Sequence, residues 1–161
     1  MFRLDVDSLK GYLDFDLKRR SDLRKLDMLI RRSAPGLKRY FHSGTPAGEL
    51  GMRFKMIGYG KFQYVARNGQ YVDWPAVGVA LQKNYISVYL SVIKDGASLI
   101  QLYSGKLGQV KLGRNHFSFR TYEDLDVRLL ASLFAEAEQI FQSDSRHCNL
   151  AHGGTQAMRT R

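Results

Sequence analysis

The chain has a single cysteine, Cys148, in 161 residues. That excludes an intrachain disulfide and a cysteine-rich zinc site, and it fits a reducing compartment. His147, Cys148 and His152 stand close together, but they are three ligands where structural zinc takes four. No apolar run approaches the ~18 residues of a membrane span. The opening Met1-Phe2-Arg3-Leu4-Asp5 lacks an apolar core of signal-peptide length, so a cytoplasmic location is expected. Acidic side chains are the minority, 15 against 25 basic ones, for a formal charge of +10. Residues 1–60 hold 13 basic and 7 acidic groups, residues 61–120 hold 8 and 2, and residues 121–161 hold 4 and 6. Such an excess favours solubility and some affinity for polyanions. Nucleic acid is therefore one partner to consider, although no basic block interleaved with aromatics is present. A catalytic constellation is also lacking. His42 and His116 lie apart, on a loop and on a strand, so an enzyme is not the leading expectation.

What is present is strongest between Phe62 and Val92. Tyr85-Ile86-Ser87-Val88-Tyr89-Leu90-Ser91-Val92 alternates with period two, the pattern of a half-buried strand. Val77, Val79 and Leu81 alternate in the same way just upstream. A two-residue turn at Lys83-Asn84, with Asn84 at positive φ, pairs Leu81 with Ile86, Val79 with Val88 and Val77 with Leu90. All the branched side chains then share one face, and a slip of one residue would mix core with solvent. The opposite face sets Gly78 across from Tyr89 and Ala80 across from Ser87. A second hairpin is predicted from Phe62–Arg67, Asn68-Gly69 and Gln70–Trp74, because Asn-Gly is a strong hairpin signal. Pro75 suits the end of that strand better than its middle.

The remainder supplies helices. Val6–Leu13 predicts a short helix capped by Asp7 or Ser8. Asp16 suits an N-cap for a second, in which Leu23, Leu26, Leu29 and Ile30 follow helical spacing. Ala34-Pro35-Gly36 stops it. An extended piece follows at Leu37–Phe41, then a polar, glycine-rich connection from His42 to Gly51, a kind of loop that is functional or mobile. Met52–Ile57 reads as a strand. Lys94-Asp95-Gly96 breaks the chain, Ala97–Tyr103 predicts a short helix, and Phe117 and Phe119 mark a last strand. From about Asp126, Val127, Leu130, Leu133, Phe134, Ala137 and Phe141 make an amphipathic helix. Residues 143–161 are polar and read as a disordered tail. The fold class is α+β: an antiparallel sheet of five or six strands with N- and C-terminal helices packed against it. One domain, 1–142, is expected, and a chain of this length buries about 68% of its unfolded surface.

Two stretches carry possible binding chemistry. Tyr85 and Tyr89, beside the small residues Gly78 and Ala80, make a floor for an aromatic or apolar ligand, with Trp74 at the core or its rim. The loop Gly105–Arg114 joins glycines to Lys106, Lys111 and Arg114. Its backbone N–H groups suit an anion, though it is not a Walker motif. Its plainer reading is a helix end and a turn into the last strand. The expectation is a non-catalytic module that binds a small anionic or aromatic ligand or a protein partner, with no cofactor and no metal.

Ala34-Pro35-Gly36-Leu37-Lys38, Met56-Ile57-Gly58-Tyr59-Gly60, the Val79–Leu90 hairpin, Gly105-Lys106-Leu107-Gly108 and the Leu125-Asp126 helix entry together resemble the YdhG-like domain-of-unknown-function family over roughly residues 16–141. The resemblance implies an antiparallel sheet with helices against it, without established catalytic residues. Through relatives proposed to act like frataxin, it also implies intracellular iron delivery as an alternative role.

Overall fold

A computed structural model describes residues 3–143 and 158–160. Two helices come first, α1 (Leu9–Asp14) and α2 (Arg20–Ser33), followed by strands β1 (Arg39–His42), β2 (Met56–Val65), β3 (Tyr71–Leu81) and β4 (Ile86–Leu90). A two-stranded ribbon, β5 (Ile93–Lys94) and β6 (Ala97–Ser98), leads into α3 (Leu99–Leu102), then β7 (Lys111–Leu112), β8 (His116–Phe119) and α4 (Val127–Ser143). The main sheet is antiparallel, in the order β1-β2-β3-β4-β8-β7, and β9 (Met158–Thr160) lies along the far half of β2. This is the α+β architecture expected, with helices at both ends of the chain. Of the predicted tail, residues 144–157 and 161 lie outside the described residues, His147, Cys148 and His152 among them. No described helix is long and apolar enough to cross a membrane.

The β3–β4 register is the one the alternation dictates. Val77 faces Leu90, Val79 faces Val88 and Leu81 faces Ile86. All six are buried in one cluster with Leu23, Leu26, Leu29 and Ile30 of α2 and Leu130, Leu133, Phe134 and Ala137 of α4. Burying each such side chain is worth roughly 1.5–3 kcal/mol, which makes this face the main source of stability. The turn itself differs from expectation. Asn84 is not at positive φ; instead a side chain from α2's leading turn holds the loop, as described below.

Three other local features depart from the sequence reading. The upstream hairpin closes one residue earlier than Asn68-Gly69 alone implies. Ala66 N–H donates to Gln70 O (2.9 Å) and Gly69 N–H to Ala66 O (2.9 Å), so Arg67, Asn68 and Gly69 form a three-residue loop. Gly69 takes the left-handed position, φ +83°, as a type I turn followed by a bulge requires. Pro75 stands inside β3, opposite Lys61, rather than at its end. The ladder forgoes one donor there. Nearby, Gly60 adopts φ +73° and sends its N–H to the Lys38 carbonyl (3.0 Å). Tyr59 and Phe62 both meet helices, Asp27 of α2 and Phe141 of α4, although strict alternation would put them on opposite faces. Gly60 between them absorbs the reversal. Finally, Asp95 and Gly96 at φ +52° and +78° make the tight turn of the β5–β6 ribbon, where only a break was expected.

Polar anchors fix the helices. Asp27 is only 6% exposed. It accepts from the Tyr59 hydroxyl at 2.6 Å and from Arg39 Nη1 at 2.7 Å, and Arg31 Nη1 stands 3.7 Å away. At the end of the β2–β3 ladder the Tyr12 hydroxyl accepts from Leu81 N–H (2.7 Å) and donates to Lys55 O (3.0 Å). α1 is thereby stitched to the sheet where Lys55 and Leu81 would otherwise meet. Ser8, not Asp7, caps α1, accepting from Gly11 N–H. Asp16 caps a turn ahead of α2 rather than the helix proper.

Removing the Asp27 carboxylate leaves a buried phenol and a largely covered guanidinium without their acceptor. Asp27→Ala is therefore expected to lower unfolding stability by about 3 kcal/mol, measured by urea denaturation. A change below about 0.5 kcal/mol, the usual range for surface substitutions, would show that the network does not anchor α2.

Candidate functional site

The aliphatic face of β4 is sealed by helices, so its polar face becomes the surface on which chemistry can occur. The register carries that face onto β8 and β7. Tyr89 stands opposite His116, Ser87 opposite Ser118, and Ser118 opposite Lys111. Continuing the same register past Ile86↔Phe119 sets Tyr85 beside Arg120. A groove of about 560 Å³ opens here, its walls including Tyr85, Lys111, His116, Ser118, Arg120 and Asp124. Tyr85 from the tyrosine stretch and Lys111 from the glycine-rich loop, predicted separately, thus line one groove.

Each wall has a local cause. Arg19 positions Tyr85 through the backbone. Its Nη1 donates to Tyr85 O and its Nη2 to Gln82 O, both at 2.6 Å, while Nε donates to Asp16 Oδ2 at 2.8 Å. One planar fork therefore spans both ends of the Lys83-Asn84 turn, a geometry guanidinium supplies and ammonium does not. Burial opposes ionisation of Asp16, but the hydrogen bonds and charge of Arg19 outweigh it and hold the carboxyl below its usual range. Tyr89 and His116 stack with ring centroids 5.1 Å apart and planes at 31°. The imidazole lies directly on Gly113, where a Cβ would come within 2.2 Å of the ring. Ser87 and Ser118 hydroxyls bond each other at 2.8 Å. Asp124 accepts from Thr121 N–H in the capping box of a single 3₁₀ turn, Tyr122–Asp124.

The groove's charge is positive. Among the described residues neither Lys111 nor Arg120 has a carboxylate within ion-pair distance. Burial lowers the pKa of His116, so at neutral pH it presents an uncharged ring. The Tyr89 hydroxyl is pushed up, first by burial and then by the neighbouring Tyr85, and stays protonated. The chemistry on offer is two cations against one carboxylate, Asp124, with aromatic rings and hydroxyl groups.

Tyr89 shares the sheet face but is not among the residues lining the groove, and the other predicted positions lie elsewhere. Gly78 is paired with Tyr89, but the Met56 sulfur covers it, 2.6 Å from where a Cβ would be. Trp74 is 7% exposed and packs edge-on against Tyr64. Lys106 and Arg114 are not among the residues lining the groove. The glycine-rich loop uses its N–H groups internally: Lys106 donates to Tyr103 O, Gln109 to Asp124 O, Val110 to Gly108 O and Gly113 to His116 O. Gly108 is required because the Asp124 carbonyl lies 2.2 Å from any Cβ there. Those glycines serve chain packing rather than an anion cradle. Arg120 and Ser118 were not singled out from sequence, although their alternation with Phe117 and Phe119 already assigned them a common face. Among the described residues no three His, Cys, Asp or Glu side chains gather for a metal ion.

The depressed histidine has a measurable consequence. As pH falls, the unfolded chain takes up the proton before the folded one does. Stability contributed by the neutral ring is complete above about 6.5 and declines as pH drops toward the lower folded value. In an NMR titration the His116 ring protons should move below pH 6.5, and titration at or above that value would contradict the buried, stacked placement.

A scan of protein-family models and searches of curated proteins and of solved structures find no match to this chain.

Proposed function

We propose that the groove over β4, β7 and β8 binds a small aromatic anion, and that the protein acts through binding rather than catalysis. The observation that carries this reading is the meeting of two cations, Lys111 and Arg120, neither ion-paired among the described residues, with Tyr85 and the neutral His116 in one groove. An anionic group placed between Lys111 and Arg120 gains charge-assisted hydrogen bonds, and a ring beside it gains contact with aromatic side chains. The helix-flanked antiparallel sheet supports the likeness to the YdhG-like family, a likeness that brings no catalytic residues. A frataxin-like iron role would call for carboxylates or imidazoles gathered in one place, and the described side chains offer no such group.

Phenyl phosphate is a suitable probe, with inorganic phosphate and phenol as its separated halves. Calorimetric titration should show phenyl phosphate binding more tightly than either half. Lys111→Ala and Arg120→Ala should each weaken it roughly tenfold, the worth of one charged hydrogen bond. Unchanged affinity in both variants, or binding of inorganic phosphate as tight as that of the ester, would remove the proposal. Affinity that collapses steeply with salt and is equally strong for oligonucleotides would instead favour nucleic acid.

A further inference from the structure

A second groove, of about 380 Å³, lies between β1, the following loop and the β2–β3 hairpin, and its walls include Tyr40, Thr45, Glu49, Lys61, Tyr71 and Asp73. It shares no residue with the groove described above. Its centre is Tyr40. The ring lies flat on the sheet because Gly58 opposite it has no side chain; a Cβ there would fall 2.4 Å from Tyr40 Cζ. From the other side the Lys61 ammonium stands 4.6 Å from the ring centroid.

The Tyr40 hydroxyl is buried and meets no hydrogen-bond partner among the described residues. Burying a hydroxyl without a partner is unfavourable, and such groups are rare enough that each calls for a cause. Burial, and secondarily the Asp73 carboxylate, push its pKa above the usual tyrosine range. At neutral pH it therefore keeps its proton and has it to give to an acceptor. Lys61 beside it favours an acceptor with negative charge. Glu49 on the same walls disfavours a plain anion, and rewards a ligand that carries a cation at its other end. The Phe41, Leu50 and Val72 side of the groove provides apolar contact for the part between.

The geometry points to a binding site for a small zwitterion of the α-amino-acid type, its carboxylate taken by the Tyr40 hydroxyl and Lys61 and its ammonium turned toward Glu49. This goes beyond the aromatic-anion groove and stands or falls independently of it.

The test uses the full chain and L-leucine, with isocaproate (leucine without its amine) and isoamylamine (leucine without its carboxylate) as single-ended controls. Calorimetry should show leucine binding more tightly than either control. Tyr40→Phe keeps the ring on Gly58 and removes only the hydroxyl. It should weaken leucine roughly tenfold or more while the melting temperature holds or rises. Lys61→Gln should weaken leucine and isocaproate alike. No leucine binding to the unmodified chain would overturn the inference, as would equal affinity in Tyr40→Phe or isocaproate binding as tightly as leucine. Phenyl phosphate binding should be unaffected by Tyr40→Phe; its loss would mean the two grooves are not separate sites.

Discussion

The pairing of Val77, Val79 and Leu81 with Leu90, Val88 and Ile86 governs everything else in this molecule. It commits one face of β3 and β4 to α2 and α4, and with that decision the other side chains of β4 have only one place to go. Tyr85, Ser87 and Tyr89 must line the opposite face, whatever their chemistry. When β8 joins β4 in register, His116, Ser118 and Arg120 are forced into rows beside them. The groove is thus a by-product of core formation in which the leftover side chains happen to be aromatic, hydroxylic and basic.

Electrostatics follows the same division. In a chain of net charge +10, the few acidic groups near the sheet are used to fasten structure. Asp27 gathers Tyr59 and Arg39 under α2, and Asp16 aims Arg19 at the β3–β4 turn. Arg19 links the two roles, since the carbonyl it holds belongs to Tyr85, a wall of the groove. Cations that have an acidic partner serve the fold. Lys111 and Arg120, which have none among the described residues, are left available to a ligand in the first groove, as Lys61 is in the second.

How much of this could be read from the sequence depends on the range of the interaction. The β3–β4 register was legible because period-two alternation and a short loop leave one solution. The faces of α2 and α4 were legible for the same reason. The Asn68-Gly69 turn was located but not typed, since both two- and three-residue loops use glycine at positive φ. Pro75 misled because a local rule, proline at strand ends, was overridden beside the reversal that Gly60 absorbs in β2. The partnership of β8 with β4 spans the 25 residues between Leu90 and His116, and no local pattern announces it. Tyr85 and Lys111 could therefore be suspected singly but not seen as neighbours. The loop glycines illustrate the converse: their composition suggested an anion cradle, whereas close backbone approach at Gly108 and the His116 ring on Gly113 already account for them.

The most direct test of the account is a backbone-amide NMR titration with phenyl phosphate. The account predicts shifts concentrated on Tyr85, Ser87, Lys111, His116 and Ser118, a set contiguous only if β8 lies beside β4 and the groove between them is occupied. Shifts scattered over the basic surface, or confined to α2 and α4, would contradict it.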